Sequence, residues 1–508
     1  MGAYKKKIIT LLVCISACSA LVGLAACNNQ ASVKEKNSVF SNNKAAFHAN
    51  KAEANTAIST VSDADSAEGI HYYFVEIVDD AGEPLSRYYV VNNVGDWSGS
   101  DLQIPTKYKG YPVREIHSGA FKNCKNLKSI VIPDTVTKIG EAAFDGCYNL
   151  EKVTLPTSLE TLGKEAFANC LSLKEISIPD KVEELGDNTF YKCCNLESVK
   201  LSKALKVIGE NAFLRCMKLE EISIPDNVIE IKDSAFYYCE SLTTVKMPKS
   251  LLRIGKKAFN GCVELTSVDL PEAVKSVDRY SFAHCASLKK VSISKNVAFI
   301  GEYAFSACKS LTEISVTTSN ESYKSVDGNL YTKDGKTLVQ YAIGKSESKF
   351  TVPGTVERVY NSAFCTDTSL TSIEFEDGVR MIDENAFYGC VNLAEVKLSA
   401  TMERIDKYAF TDCVAIQTII IPKAMMTIES FAFRFTELTS IYFEGSIVDW
   451  KKNIRFGAQT GLEKVNCYFF SEEQPEEVGA WWHYEDGKPT VWTAEDAEEE
   501  TETDTALA

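Results

Sequence analysis

Ala143-Phe144-Asp145-Gly146-Cys147-Tyr148-Asn149-Leu150-Glu151-Lys152-Val153-Thr154-Leu155-Pro156, followed by Thr157-Ser158-Leu159-Glu160-Thr161-Leu162-Gly163, is one unit of a pattern that recurs through most of this chain. Phenylalanine returns every 23 residues at positions 121, 144, 167, 190, 213, 236, 259, 282 and 305, each with cysteine three positions later. A fixed period of this length describes a solenoid in which each unit buries its apolar face only against its neighbours. Alternation at Val153-x-Leu155 predicts a short strand, and Pro156, which cannot donate to a ladder, ends it. The Ala-Phe-x-x-Cys segment is read as a single helical turn, with Phe and Cys on one face. Glycine at 140, 163, 186, 209, 255 and 301 is read as a tight turn. Stacked coils about 4.8 Å apart would turn the Phe, Leu and Ile positions into continuous apolar ladders.

The Cys-x-x-Leu-x-x-Ile-x-Ile-Pro pattern resembles a leucine-rich repeat. The full unit, with Ala-Phe-x-x-Cys and the Ile-Gly step, is similar to the BspA-like branch of that family over about residues 100 to 445. That resemblance implies an α/β leucine-rich repeat solenoid with a parallel sheet on its concave face, closed by β-rich N-terminal and C-terminal caps. It also implies a bacterial surface protein with a part in adhesion.

Around the repeats the chain divides clearly. Lys5, Lys6 and Lys7 precede an apolar run from Ile8 to Ala26, the layout of a secretory signal. A single membrane span is the competing reading, because the run approaches the about 20 residues a bilayer requires. Leu24-Ala25-Ala26-Cys27 resembles a bacterial lipobox, which favours residues 1–27 as a signal peptide and Cys27 as a lipidated membrane anchor facing the cell exterior. Residues 28–69, rich in Asn, Ala, Ser and Lys, read as a disordered stalk. Residues 70–118 read as an N-terminal cap built on a hairpin whose loop is Asp79-Asp80-Ala81-Gly82. The first repeat block covers 119–316. A hairpin insertion covers 317–349, with Lys333-Asp334-Gly335-Lys336 at its tip, and a second block covers 350–445. Residues 446–493 are expected to form a C-terminal cap, and 494–508 an acidic disordered tail.

Composition excludes some functions. A formal charge of −16 argues against nucleic acid, whose binding needs concentrated Lys and Arg. Five scattered histidines and the lack of a zinc-protease helix, a nucleophile elbow or a phosphate loop leave no candidate catalytic residue, so an enzyme is not expected. No metal site and no cofactor are expected either. Of the 17 cysteines, eleven occupy one buried repeat position and are read as free thiols that pack as small hydrophobes.

Recognition would then fall to the strand positions the repeat leaves free. These are Lys152 and Thr154, Glu175 and Ser177, Ser198 and Lys200, Glu221 and Ser223, Thr244 and Lys246, Ser267 and Asp269, and Lys290 and Ser292. The expected partner is a protein of a host, a matrix or a bacterial surface. Glycan binding for nutrient capture, through the insertion or an aromatic patch of Trp481, Trp482 and Tyr484, is the alternative.

Overall fold

The computed structural model describes residues 57–492 apart from 62–64, 68, 80, 96 and 476–478. Each coil has three sides: a three- or four-residue strand, a two-residue strand, and a run of turns carrying Phe and Cys. Equivalent strands pair in parallel one repeat apart, as in Lys152↔Ser129, Val153↔Ile130 and Thr154↔Val131 on one side and Thr161↔Lys138 on the next. The central residue of each longer strand points into the core and its two neighbours point out, so Ile130, Val153 and Ile176 are buried.

The third side departs from the expected helical turn. The residues two before and two after each Phe adopt left-handed backbone, for example Glu165 (φ 56°) and Asn169 (φ 57°) around Phe167, and Asn211 (φ 54°) and Arg215 (φ 60°) around Phe213. A right-handed helix cannot propagate through such residues. Backbone N–H groups instead alternate in direction: Phe144 and Gly146 donate to Ala166 and Ala168 of the next coil, while Asp145 and Cys147 donate three residues back to Ala142 and Phe144. The α-helix Ile447–Asn453, capped by Ser446 and Asp449, is the one helix among the described residues.

Inside this wall the phenylalanine rings form a continuous stack. From Phe121 to Phe305, successive ring centroids lie 5.0 to 5.8 Å apart and nearly parallel. The thiols run beside them, and from Cys147 to Cys308 each donates to the Phe carbonyl of the preceding coil, with Cys147 to Phe121 at 3.0 Å and Cys239 to Phe213 at 3.1 Å. Thirteen described cysteines are free thiols. Burial pushes most of the ladder thiols up, that of Cys193 to about 12, which holds them in the donating form. Alkylation of the folded protein should therefore reach the half-buried Cys467 first among these thirteen and the ladder cysteines only on unfolding. Peptide mapping after a timed iodoacetamide pulse checks this, and early labelling at Cys216 or Cys239 would count against it.

The repeated glycines serve a different purpose from a turn. Gly209 and Gly301 do not have left-handed backbone, but a Cβ at Gly209 would lie 2.6 Å from the Leu185 carbonyl oxygen, and one at Gly301 would lie 2.4 Å from the Arg279 nitrogen. Close stacking of coil on coil is what favours glycine there.

The insertion is a meander of Tyr323–Val326, Asn329–Thr332 and Thr337–Gln340. Its first bend, Asp327-Gly328, has positive φ at both residues, as a two-residue hairpin turn requires. Tyr341 then takes a phenylalanine place: its ring stacks on Phe364 at 4.7 Å and its N–H donates to Ala363. Lys349–Val352 re-enters the strand ladder against Ser372–Phe375.

Buried polarity gathers just beyond this joint. Asp367 stands where the cysteine should, and Asp383 where a glycine often stands. Both are 1% exposed, and one carboxylate oxygen of each has no hydrogen-bond partner. Burial pushes both up to about 6, Asp383 despite its ion pair with Arg358 at 2.6 Å. A carboxyl raised in the folded state contributes stability that is complete below its unfolded value and is lost as pH rises through about 6. The melting temperature should therefore rise as pH falls from about 7 towards 5, and Asp367→Asn should flatten that rise. Calorimetry across this window measures it; a flat wild-type profile would sink the assignment.

At the N-terminal end, Ile70–Val78 and Pro84–Asn93 form the expected hairpin. Strands Ala57–Val61 and Asp65–Ala67 also pair with Ile70–Val78, so the cap reaches back into the segment read as stalk. The signal segment, Cys27, most of the stalk and the 494–508 tail lie outside the described residues.

Candidate recognition surface

The free strand positions all emerge on one face, as their alternation with buried central residues demands. In Lys152–Thr154, Glu175–Ser177, Ser198–Lys200, Glu221–Ser223, Thr244–Lys246 and Ser267–Asp269, both outer residues are exposed. Lys290 is exposed as well, whereas Ser292 is half-buried and donates to Asp269 Oδ1 at 2.6 Å.

This strand face is segmented. Hydrogen-bonded pairing runs from Asp101–Gln103 to Ser198–Lys200, stops, and resumes in separate sheets from Glu221–Ser223 and again from Ser267–Asp269. Within the first sheet, the pairing of Lys152–Thr154 with Glu175–Ser177 narrows to the single match Lys152↔Glu175. An open groove of about 750 Å³ lies there, lined by Lys152, Thr154, Glu175, Ser177, Ser198 and Lys200, with Pro179 and Asp180 among its other walls. Asp180 is held below the usual carboxylate range, chiefly by the backbone N–H of Lys203.

The C-terminal aromatics divide. Trp482 is fully buried, its Nε1 donating to the Phe443 carbonyl at 3.0 Å under Tyr442, Phe470 and Tyr484. It therefore offers no ring face to a sugar, and the three-residue aromatic patch is corrected accordingly. Trp481 is half-buried against the core. Tyr484 is 44% exposed, and its hydroxyl donates to Glu444 at 2.7 Å.

Sequence reasoning missed a second surface on the turn side. Tyr280 and Tyr303 stack at 4.6 Å with the Arg279 guanidinium 5.1 and 5.0 Å from their centroids, and Lys257 lies 5.8 Å from Tyr237 and 6.0 Å from Tyr280. Tyrosine and arginine are the residue types that anchor protein interfaces. Their signal in the sequence is the recurrence of Tyr and cationic residues beside the Phe position in coils 237 to 303. Burial pushes the Tyr237 and Tyr303 hydroxyls up to about 12, so both stay neutral, and Tyr303 accepts from the Asn385 side-chain amide at 3.2 Å.

Among the described residues there is no cluster of metal-ligating side chains, and no helix is long and apolar enough to cross a membrane.

Comparison with known proteins converges on this architecture. A family model described as BspA type leucine rich repeat region (6 copies) matches residues 114–243, 229–327 and 341–462. The crystal structure of a leucine rich cell surface protein from Faecalibacterium prausnitzii is similar at 26% identity and a TM-score of 0.53, over 78% of this chain and 98% of the other. A leucine-rich repeat protein from Bacteroides ovatus is similar at 25% identity and a TM-score of 0.50, over 80% and 99%. No curated protein shows significant similarity.

Proposed function

Since the chain belongs to the BspA-type leucine-rich repeat family, we propose that it is a bacterial surface scaffold, held to the membrane through lipidated Cys27, that adheres to host, matrix or neighbouring cells by binding their proteins. The reading is of a non-enzymatic protein. The observation that carries it is the strand face itself, an extended array of exposed polar side chains opening into a groove of about 750 Å³ between Lys152 and Lys200. Such a surface makes many modest contacts over a large area, the geometry of macromolecular recognition. On the turn side, exposed Arg279 with half-buried Tyr237 and Tyr280 adds residue types of the kind that dominate interface energetics, while Tyr303 is buried. Glycan capture has less support now that Trp482 is placed inside the cap.

Two experiments test this. Full-length protein on arrays of matrix proteins and of glycans should bind proteins, with Glu175→Lys/Lys200→Glu reducing the signal; binding confined to glycans would refute the reading. Fatty-acid labelling in the native host should be lost in Cys27→Ser, and retained labelling would remove the anchor from the proposal.

A further inference from the structure

The strand face carries a pattern finer than its polarity. In each of the eight coils whose strands run from Lys152–Thr154 to Glu313–Val316, one outward side chain is charged and the other is a hydroxyl. The charge changes sign at every step: Lys152, Glu175, Lys200, Glu221, then Lys246, Asp269, Lys290, Glu313. Because the number of coils is even, reading the ladder backwards gives its complement.

The positions within the strands follow the same symmetry. Lys152 and Glu313, the outermost pair, both occupy the first position of their strands, as do Glu175 and Lys290. Lys200 and Asp269 both occupy the third. Glu221 and Lys246, nearest the centre, differ in position and would meet on a diagonal. The partnering outward positions match too: Thr154 with Ser315, Ser177 with Ser292, Ser198 with Ser267. All are small enough to let two such faces approach.

Neutralisation within one chain does not account for this order. Of the eight charges, Lys290 and Glu313 pair with each other at 3.0 Å, while Lys152, Glu175, Lys200, Glu221 and Lys246 form no ion pair among the described residues. The hydrogen-bonded sheet is also interrupted between Lys200 and Glu221 and between Lys246 and Asp269, where neighbouring charges of opposite sign would otherwise be held in register.

We propose that the occupant of this face is a second copy of the chain, related by a two-fold axis parallel to the strands and passing between the Glu221–Ser223 and Thr244–Lys246 strands. That operator reverses the solenoid axis, keeps first positions against first and third against third, and sets Lys152, Glu175, Lys200, Asp269, Lys290 and Glu313 directly opposite their complements, with Glu221 and Lys246 meeting diagonally across the axis. Copies aligned in the same direction, or slipped by one coil, meet like charge with like. Antiparallel pairing is the orientation of molecules projecting from two opposed surfaces, so the proposal rests on the adhesion reading and makes the contact homophilic.

Sedimentation velocity of the full-length protein in detergent tests it. A dimer is expected at about 50 mM salt and its loss at about 500 mM, where charges are screened within a few ångströms. Lys200→Asp and Asp269→Lys should each weaken dimerisation by about tenfold or more. The double variant Lys200→Asp/Asp269→Lys should restore it, although it spoils the alternation within each chain. Zero-length carbodiimide coupling should join Lys200 to Asp269, three coils apart in one chain, across the dimer alone. A monomer at low salt, or a double variant no better than the singles, overturns the proposal. Beads coated with the protein separate the two readings: failure to cluster with retained binding to matrix proteins removes the homophilic contact and leaves adhesion standing, and failure of both removes both.

Discussion

Phe236→Ala is expected to destabilise the solenoid by about 3–5 kcal/mol, the range for removing a large aromatic from a packed core. Phe236 is fully buried and stacks on Phe213 at 5.1 Å and on Phe259 at 5.0 Å, so truncation removes contacts with both neighbouring coils. Its N–H bond to Ala258 and the Cys262 thiol bond to its carbonyl use the backbone and would survive. The damage should therefore propagate by loss of packing, spreading to adjacent coils as nearest-neighbour coupling requires. Hydrogen exchange should show faster opening of amides from about coil 213 to coil 259 before the ends of the array. Uniform acceleration across the molecule, or a loss below about 1 kcal/mol on denaturation, would contradict a stacked-ring core.

Trp482→Ala should cost a similar amount, about 3–5 kcal/mol for the buried ring. It should also leave the Phe443 carbonyl without its 3.0 Å donor, an orphaned acceptor that adds about 1–3 kcal/mol. Here the effect should stay local. Trp482 joins the Trp481–Glu485 strand to Ser440–Phe443 across the intervening Asn466–Phe470 strand, so its loss loosens the last sheet and leaves the ladder before Thr418 intact. Limited proteolysis should release the segment after about residue 445 from the variant while the repeats persist. Trp482→Phe, which keeps a ring and loses the donor, separates the two contributions. If the cap of Trp482→Ala resists protease as well as wild type does, the ring is not what holds it.

Both substitutions fall on residues whose weight in the structure was legible to different degrees. Phe236 could be read from the 23-residue period alone, because a solenoid core is a linear repetition of one solution. Tyr341 was equally within reach, lying one period before Phe364, yet the β-prone run around it drew it into the hairpin. Asp327-Gly328 escaped as a turn because Asp334-Gly335 is the more conspicuous of two similar pairs. The left-handed residues flanking each Phe were only partly legible: Gly146, Asn169, Asn188 and Asn211 are types that tolerate positive φ, but Glu165, Lys192, Arg215 and Tyr238 do not advertise it, and the stacked coil imposes that conformation on them. Among the candidate site residues, period-two alternation placed the strand positions on the surface. Trp482 failed for the opposite reason, since tryptophan beside a strand end reads the same whether it caps a core or offers a platform.

The segmented strand face has a mechanical consequence. The two-residue strands form an unbroken ladder from Glu184–Leu185 to Phe299–Ile300, and another from the insertion to Arg455–Phe456, whereas the opposite face is interrupted within both spans. Hydrogen bonds resist extension along their own direction, so the continuous ladders act as a spine and the interruptions as slits. Bending stiffness is then direction-dependent: the rod yields by opening the strand face about the spine and resists bending the other way. A molecule pulled from one end would spread its strand face before any coil unravels, changing the curvature of that face under load while the aromatic stack stays closed.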